Sequence, residues 1–138
     1  MNLGEESVIV WWVPRIIMAG GMIMCGWILI FLGRLARTGK YGRDDAAGSR
    51  TANTLASEEA WKVGHIRASR AIQVAGVVFY ISAAWVVIPY FSYYTASIGF
   101  CLIAISAFAV IGYAIFVADR AAAELLREKA EAEEEQDL

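Results

Sequence analysis

Three long apolar runs constrain this chain more than any other feature of its sequence. The second run, Ala71–Phe91, has 21 residues without a formal charge, and the third, Ala96–Ala118, has 23. An α-helix needs about 20 apolar residues to cross the hydrocarbon core of a bilayer. The first run, from about Val8 to Leu32, has that length although Pro14 and Arg15 interrupt it. The sequence therefore predicts an all-α integral membrane protein with three transmembrane helices.

The composition agrees with this fold class, because 59% of the 138 residues are hydrophobic and a soluble domain would need more polar surface. Cys25 and Cys101 both lie inside apolar runs, so we expect them to be small core residues without thiolate chemistry. Glu5 and Glu6 near the amino terminus argue against a cleaved signal peptide and for a permanent first span.

The first span has an irregular beginning. Pro14 is expected in its first turns, where a missing backbone N–H is tolerated. Arg15 is expected to extend its side chain toward the near membrane interface, beside Trp11 and Trp12.

Charge predicts the orientation of the spans. The segment from Arg34 to Arg70 carries eight basic and four acidic residues, a net charge of +4. Basic loops stay in the cytoplasm, which places the amino terminus outside and the carboxyl terminus inside. We therefore expect one membrane domain, residues 1–138, with the following parts: spans at about 8–32, 71–91 and 96–118, a cytoplasmic loop at 33–70, and a cytoplasmic tail at 119–138. The aromatic stretch Pro89–Thr95 predicts a tight interfacial turn, so that the second and third spans form a helical hairpin.

The tail has eight acids and three bases, a net charge of −5, and its Ala- and Glu-rich sequence favours a helix that continues the third span. It is either a solvated acidic tail or a segment that contacts the basic loop or a basic partner.

The charged segment before the second span has the features of a capped helix start. Thr54 and Ser57 are candidate N-caps, and Glu58 and Glu59 then fall in the first turn, where the helix dipole favours acids. Nothing breaks the helix from Ser57 until Pro89. We expect an amphipathic lead-in helix, with these residues on one face at helical spacing: Trp61, His65 and Ala68.

This segment also resembles a known family. The pattern R-T-x-x-T-x-x-S-E-E-x-W-x-x-x-H is similar to the signature of the SdpI family, small membrane proteins named after a bacterial toxin-immunity protein. The residues that carry the resemblance are Arg50, Thr51, Thr54, Ser57, Glu58, Glu59, Trp61 and His65. The chain resembles the short form of the family, with one span before the signature and two after it. Ile66 stands where the family commonly has a basic residue after the His.

The resemblance implies a non-enzymatic protein of the bacterial plasma membrane that binds a partner, as in toxin immunity or signalling, with the eight signature residues as the binding motif. The alternative is an accessory structural subunit of a larger bacterial membrane complex, such as a respiratory assembly. Membrane lipids and a protein partner, either a toxin peptide or a larger complex, are the expected partners, and nucleic acid is not. No catalytic, metal or cofactor residues are expected, because one His cannot hold a haem pair or a zinc ion alone.

Individual signature residues have simpler alternatives. Arg50 is as well suited to contact a lipid phosphate as a partner. Trp61 is expected to be an interfacial anchor near the headgroups, and His65 a hydrogen-bonding residue that ties the helix to the loop. A proton-carrying role of His65 near Glu58 is the less favoured alternative. Glu59 is the candidate ion-pair partner of Arg50.

Overall fold

The computed structural model describes residues 3–40, 42–44, 48–88 and 92–137. Helix α1 covers Leu3–Arg37, α2 Ala52–Leu55, α3 Glu58–Val87 and α4 Tyr93–Gln136. The described residues contain no β-strand, so the predicted all-α class is confirmed. Three helices, α1, α3 and α4, are long enough and apolar enough to cross a membrane. The chain is therefore a multi-pass membrane protein.

Helix α3 lies in the middle of the bundle. Both α1 and α4 pack against α3, and within the described part of the chain no Cα atoms of α1 and α4 come within 8 Å of each other. Charged residues occupy α3 up to Arg70, and its apolar run begins at Ala71, where we expect its membrane-crossing part to start. The turn predicted for Pro89–Thr95 begins outside the described residues, and α4 already starts at Tyr93 with Ser92 as its N-cap.

Small residues allow the helices to approach closely. A Cβ atom built on Gly26 of α1 would lie 2.8 Å from the carbonyl oxygen of Gly76 in α3. Between α3 and α4, a Cβ atom on Gly64 would lie 2.7 Å from the carbonyl oxygen of Ala118. Such backbone contacts are typical of membrane helices, which gain little from hydrophobic burial against each other. The core is correspondingly rich in alanine, and large apolar side chains such as Ile105 and Phe108 are exposed where lipid would cover them.

The structure corrects the prediction for the start of α1. The helix begins at Leu3, so Pro14 lies well inside it rather than in its first turns. Arg15 is buried between the helices, and its guanidinium lies 3.8 Å from the ring centroid of Trp11, the tryptophan beside which it was expected. One guanidinium nitrogen donates hydrogen bonds to the carbonyl oxygens of Val86, at 3.2 Å, and Ile88, at 3.0 Å. The last carbonyls of a helix have no intrahelical donor, so Arg15 satisfies the end of α3 and ties α1 to it.

The expectation for the cysteines is also wrong. Cys25 and Cys101 are both free and exposed on the surface of the helices, not in the core. Their position in apolar runs suggested burial, but in a membrane protein a residue of an apolar run can face lipid as well as the protein interior.

Candidate functional site

The eight signature residues lie on α2, on the first turns of α3 and on the loop before them. Thr51 is the N-cap of α2, and its hydroxyl accepts a hydrogen bond from the backbone N–H of Thr54 at 3.3 Å. The Thr54 hydroxyl accepts in return from the N–H of Thr51, at 3.0 Å, which completes a capping box. Thr54 is therefore the third helical residue of a capping box and not the N-cap that the sequence suggested. Its hydroxyl also donates to the carbonyl oxygen of Ser49 at 2.9 Å.

The second cap begins α3. Ser57 has the extended backbone of an N-cap, and its hydroxyl accepts a hydrogen bond from the N–H of Ala60 at 3.1 Å. Glu58 and Glu59 occupy the first turn, where they complement the helix dipole. Ser57 therefore begins the helix as predicted, and the helix continues without a break to Val87.

His65 joins α3 to the loop. Its Nε2 accepts a hydrogen bond from the backbone N–H of Ser49 at 3.1 Å, and its Nδ1 lies 2.9 Å from the carbonyl oxygen of Trp61. Because one nitrogen faces a donor and the other an acceptor, the ring is neutral with its proton on Nδ1. Burial lowers the pKa of His65, against the opposing effect of the Trp61 carbonyl. The prediction that His65 ties the helix to the loop is confirmed.

Trp61 is fully buried beside His65, with the two ring centroids 4.0 Å apart. The interpretation of Trp61 as an interfacial anchor is therefore wrong, because a side chain enclosed by protein cannot lie among lipid headgroups. Its ring instead supports the imidazole and the loop above it.

Gly48 closes this cluster and was missed by sequence reasoning. Its φ of +133° is accessible to glycine and strained for other residues. A Cβ atom here would lie 2.5 Å from Nε2 of His65 and 2.9 Å from the indole of Trp61. The available signal was a glycine two residues before Arg50, but the need for a positive φ depends on the tertiary contact. We call Gly48, Ser49, Thr51, Thr54, Trp61 and His65 the signature latch.

Three of the four remaining signature residues form a different surface, and the fourth, Ser57, is the N-cap of α3. Arg50, Glu58 and Glu59 are exposed, and we call these three residues the signature rim. Glu58 pairs with Lys62 at 3.8 Å. The carboxylate of Glu59 contacts the ammonium group of Lys129 in α4, which lowers the pKa of Glu59 through this hydrogen bond and charge. Glu59 therefore has a partner in α4 that the sequence did not suggest, and its pair with Arg50 stays a hypothesis.

The extension of α4 beyond the apolar run packs on the loop. The side-chain amide of Asn53 donates to both carboxylate oxygens of Asp119, each at 3.1 Å. Together with the contact between Lys129 and Glu59, this bond connects α4 to α2 and to the start of α3. The tail thus contacts the basic loop, which was one of the two expectations for it. At Glu59, however, the tail supplies the base, Lys129, and the segment before the second span supplies the acid.

The chemistry available at this cluster is limited. Both ring nitrogens of His65 are engaged in hydrogen bonds, so a metal ion or a transferred proton would have to displace one of them. Across the described ranges, no group of three or more His, Cys, Asp or Glu side chains is placed to hold a metal ion. The arrangement is suited to holding a loop in one conformation and presenting its charged rim.

Comparison with known proteins gives one match. The model of the SdpI/YfhL protein family matches residues 40–118, which is more than half of the chain and includes all eight signature residues. No curated protein and no solved structure matches the chain.

Proposed function

This chain belongs to the SdpI/YfhL protein family, and on that premise we propose that it is a non-enzymatic protein of the bacterial plasma membrane that binds a protein partner. The amino terminus lies outside and the loop and tail lie in the cytoplasm. The net charge of +4 between Arg34 and Arg70 supports this orientation.

The division of the signature into a latch, in which Thr54, Trp61 and His65 are buried, and an exposed rim carries the proposal. The latch holds the loop against α3 through the two hydrogen bonds of His65 and the capping box of α2. This leaves the rim charges in a fixed arrangement at the surface, where a partner reaches them without rearranging the protein. Trp61 and His65 are buried, so they act by supporting this surface and not by touching the partner.

The partner in this proposal is a membrane-active peptide of the toxin type, with binding passed on to a cytoplasmic regulator. The rim has charges of both signs, from Arg50 and the two glutamates, and its glutamates lie on α3 about three helical turns before the apolar run that begins at Ala71. A peptide that is apolar in the bilayer and charged at its end would meet both features.

A second candidate is an accessory subunit of a larger membrane assembly, such as a respiratory complex. The observation that favours it is the length of α4, which continues past Ala118 to Gln136 as a largely exposed, charged helix. This extension offers a docking surface outside the membrane that a toxin-binding protein would not require.

The test is mild detergent extraction of the tagged protein from its native membranes, followed by identification of co-purifying proteins. We expect a stoichiometric protein partner with the native chain and its loss with Glu58→Lys in the rim. Glu133→Lys is the matched control, because it makes the same charge change at an exposed position of the tail. A large complex recovered with the native chain and with Glu58→Lys supports the accessory-subunit candidate. Recovery of the protein alone contradicts the accessory-subunit candidate. It also contradicts the toxin-binding candidate if a deletion strain is no more sensitive to a peptide toxin than the native strain.

A further inference from the structure

A partly open cavity of about 230 Å³ lies between the three long helices, next to the signature latch. Its body is apolar, with Leu29 and Leu32 contributed by α1, Ile72 by α3 and Ile111 by α4. An apolar cavity of about 150 Å³ already holds a benzene molecule, so this one has room for part of a hydrocarbon chain. The cavity is separate from the signature rim.

One end of the cavity is polar. Ser49 and His65 line it, and the imidazole is already engaged with the backbone N–H of Ser49. The hydroxyl of Ser49 is buried and has no hydrogen-bond partner among the residues that the structure describes. Buried hydroxyl groups in proteins are normally satisfied, so this one is available to an acceptor on a molecule bound in the cavity.

The depth of the cavity identifies the kind of ligand. His65 precedes the start of the apolar run at Ala71 by less than two helical turns, so the polar end lies at the membrane boundary. Ile72 is the second residue of its apolar run and Ile111 lies seven residues before the end of its run, so the body of the cavity lies at the edge of the hydrocarbon layer. A phospholipid acyl chain fits this arrangement. Its hydrocarbon tail lies inside the bilayer, and its ester carbonyl, a hydrogen-bond acceptor, lies at the membrane boundary.

The cavity is also partly open. Helices α1 and α4 both pack on α3, and within the described ranges their Cα atoms do not come within 8 Å of each other. A chain of the width of a hydrocarbon tail fits between two backbones at that separation. We propose that this cavity holds one acyl chain of a membrane phospholipid, whose ester carbonyl accepts a hydrogen bond from the Ser49 hydroxyl. This site is independent of the proposed protein partner.

The test is to purify the full-length protein in mild detergent and to measure retained phospholipid by native mass spectrometry and lipid extraction. Leu32→Trp fills the cavity, and Leu102→Trp makes the same change at an exposed position of α4. We expect one retained phospholipid per protein for the native chain and for Leu102→Trp, and a several-fold loss for Leu32→Trp.

Ser49→Ala tests the polar end without filling the cavity, and it keeps the backbone N–H that binds His65. We expect it to release the phospholipid at a lower detergent concentration than the native chain does, with an unchanged melting temperature. This variant decides the question if Leu32→Trp does not fold. Equal retention by the native chain and Ser49→Ala, unchanged retention by Leu32→Trp, no retained phospholipid, or a different retained molecule would each overturn the proposal.

Discussion

At the scale of single residues, the signature latch depends on positions that accept few other residue types. Gly48 has a positive φ and contacts two rings, and His65 uses both of its nitrogens within one neutral tautomer. Motif residues of this kind act through structure, since they fix the loop that precedes α3. The exposed residues of the same motif are then held at the surface, where we propose that a partner binds.

Replacement of Gly48 by alanine tests the latch directly. We expect Gly48→Ala to lower the free energy of unfolding by about 1–3 kcal/mol, because it forces a strained φ and a Cβ contact with His65. Gly20→Ala is the control, since its Cβ would meet nothing within 4 Å and alanine favours a helix. Chemical unfolding in detergent micelles measures both, and equal stability of the two variants would contradict the latch.

The tautomer of His65 predicts a pH dependence. Burial lowers its pKa below the usual value of 6.5, so the unfolded chain binds the proton more readily than the folded chain does. Stability is therefore full above pH 6.5 and decreases as the pH falls from there toward the lowered folded-state pKa. We expect the melting temperature to fall between pH 8 and pH 5.5, and His65→Gln to flatten this dependence. A native profile that matches that of His65→Gln would show that the imidazole does not titrate in this way.

At the scale of helices, the contact between α3 and α4 depends on close backbone approach. We expect Gly64→Ala to destabilise the protein by about 1–3 kcal/mol, because its Cβ would lie 2.7 Å from the carbonyl oxygen of Ala118. Gly112→Ala is the matched control, with no atom within 4 Å of its Cβ. The melting temperatures of the two variants compare them, and an equal effect would mean that the helices adjust without cost.

The boundaries of α3 followed from the sequence, while its contacts did not. Ser57 and the two glutamates after it are a local capping pattern, and this pattern correctly placed the start of the helix. By contrast, Arg15 reaches the carbonyl oxygens at the far end of α3, and Glu59 meets Lys129, 70 residues later. Contacts between residues so far apart in the sequence depend on which helices pack together and on which faces. Helical periodicity does not predict that packing. The buried position of Trp61 was missed for the same reason.

At the scale of the whole molecule, the proposed function requires one orientation in the membrane. The loop between α1 and α3 and the extension of α4 contact each other through Asn53 and Asp119, so they lie on the same side. We expect a green fluorescent protein fused to the carboxyl terminus to fluoresce and a fused alkaline phosphatase to be inactive, because the proposed orientation places this side in the cytoplasm. An active phosphatase fusion would show the opposite topology, in which the signature rim lies outside the cytoplasm.

The central claim is that the signature presents a rim to a protein partner. The most direct measurement places a photo-crosslinking amino acid at position 58, in living cells, and compares it with the same residue at position 133. We predict a discrete protein adduct from position 58 and none of that size from position 133, since the rim and the tail end are different surfaces. No protein adduct from position 58, or the same adduct from both positions, would contradict the claim.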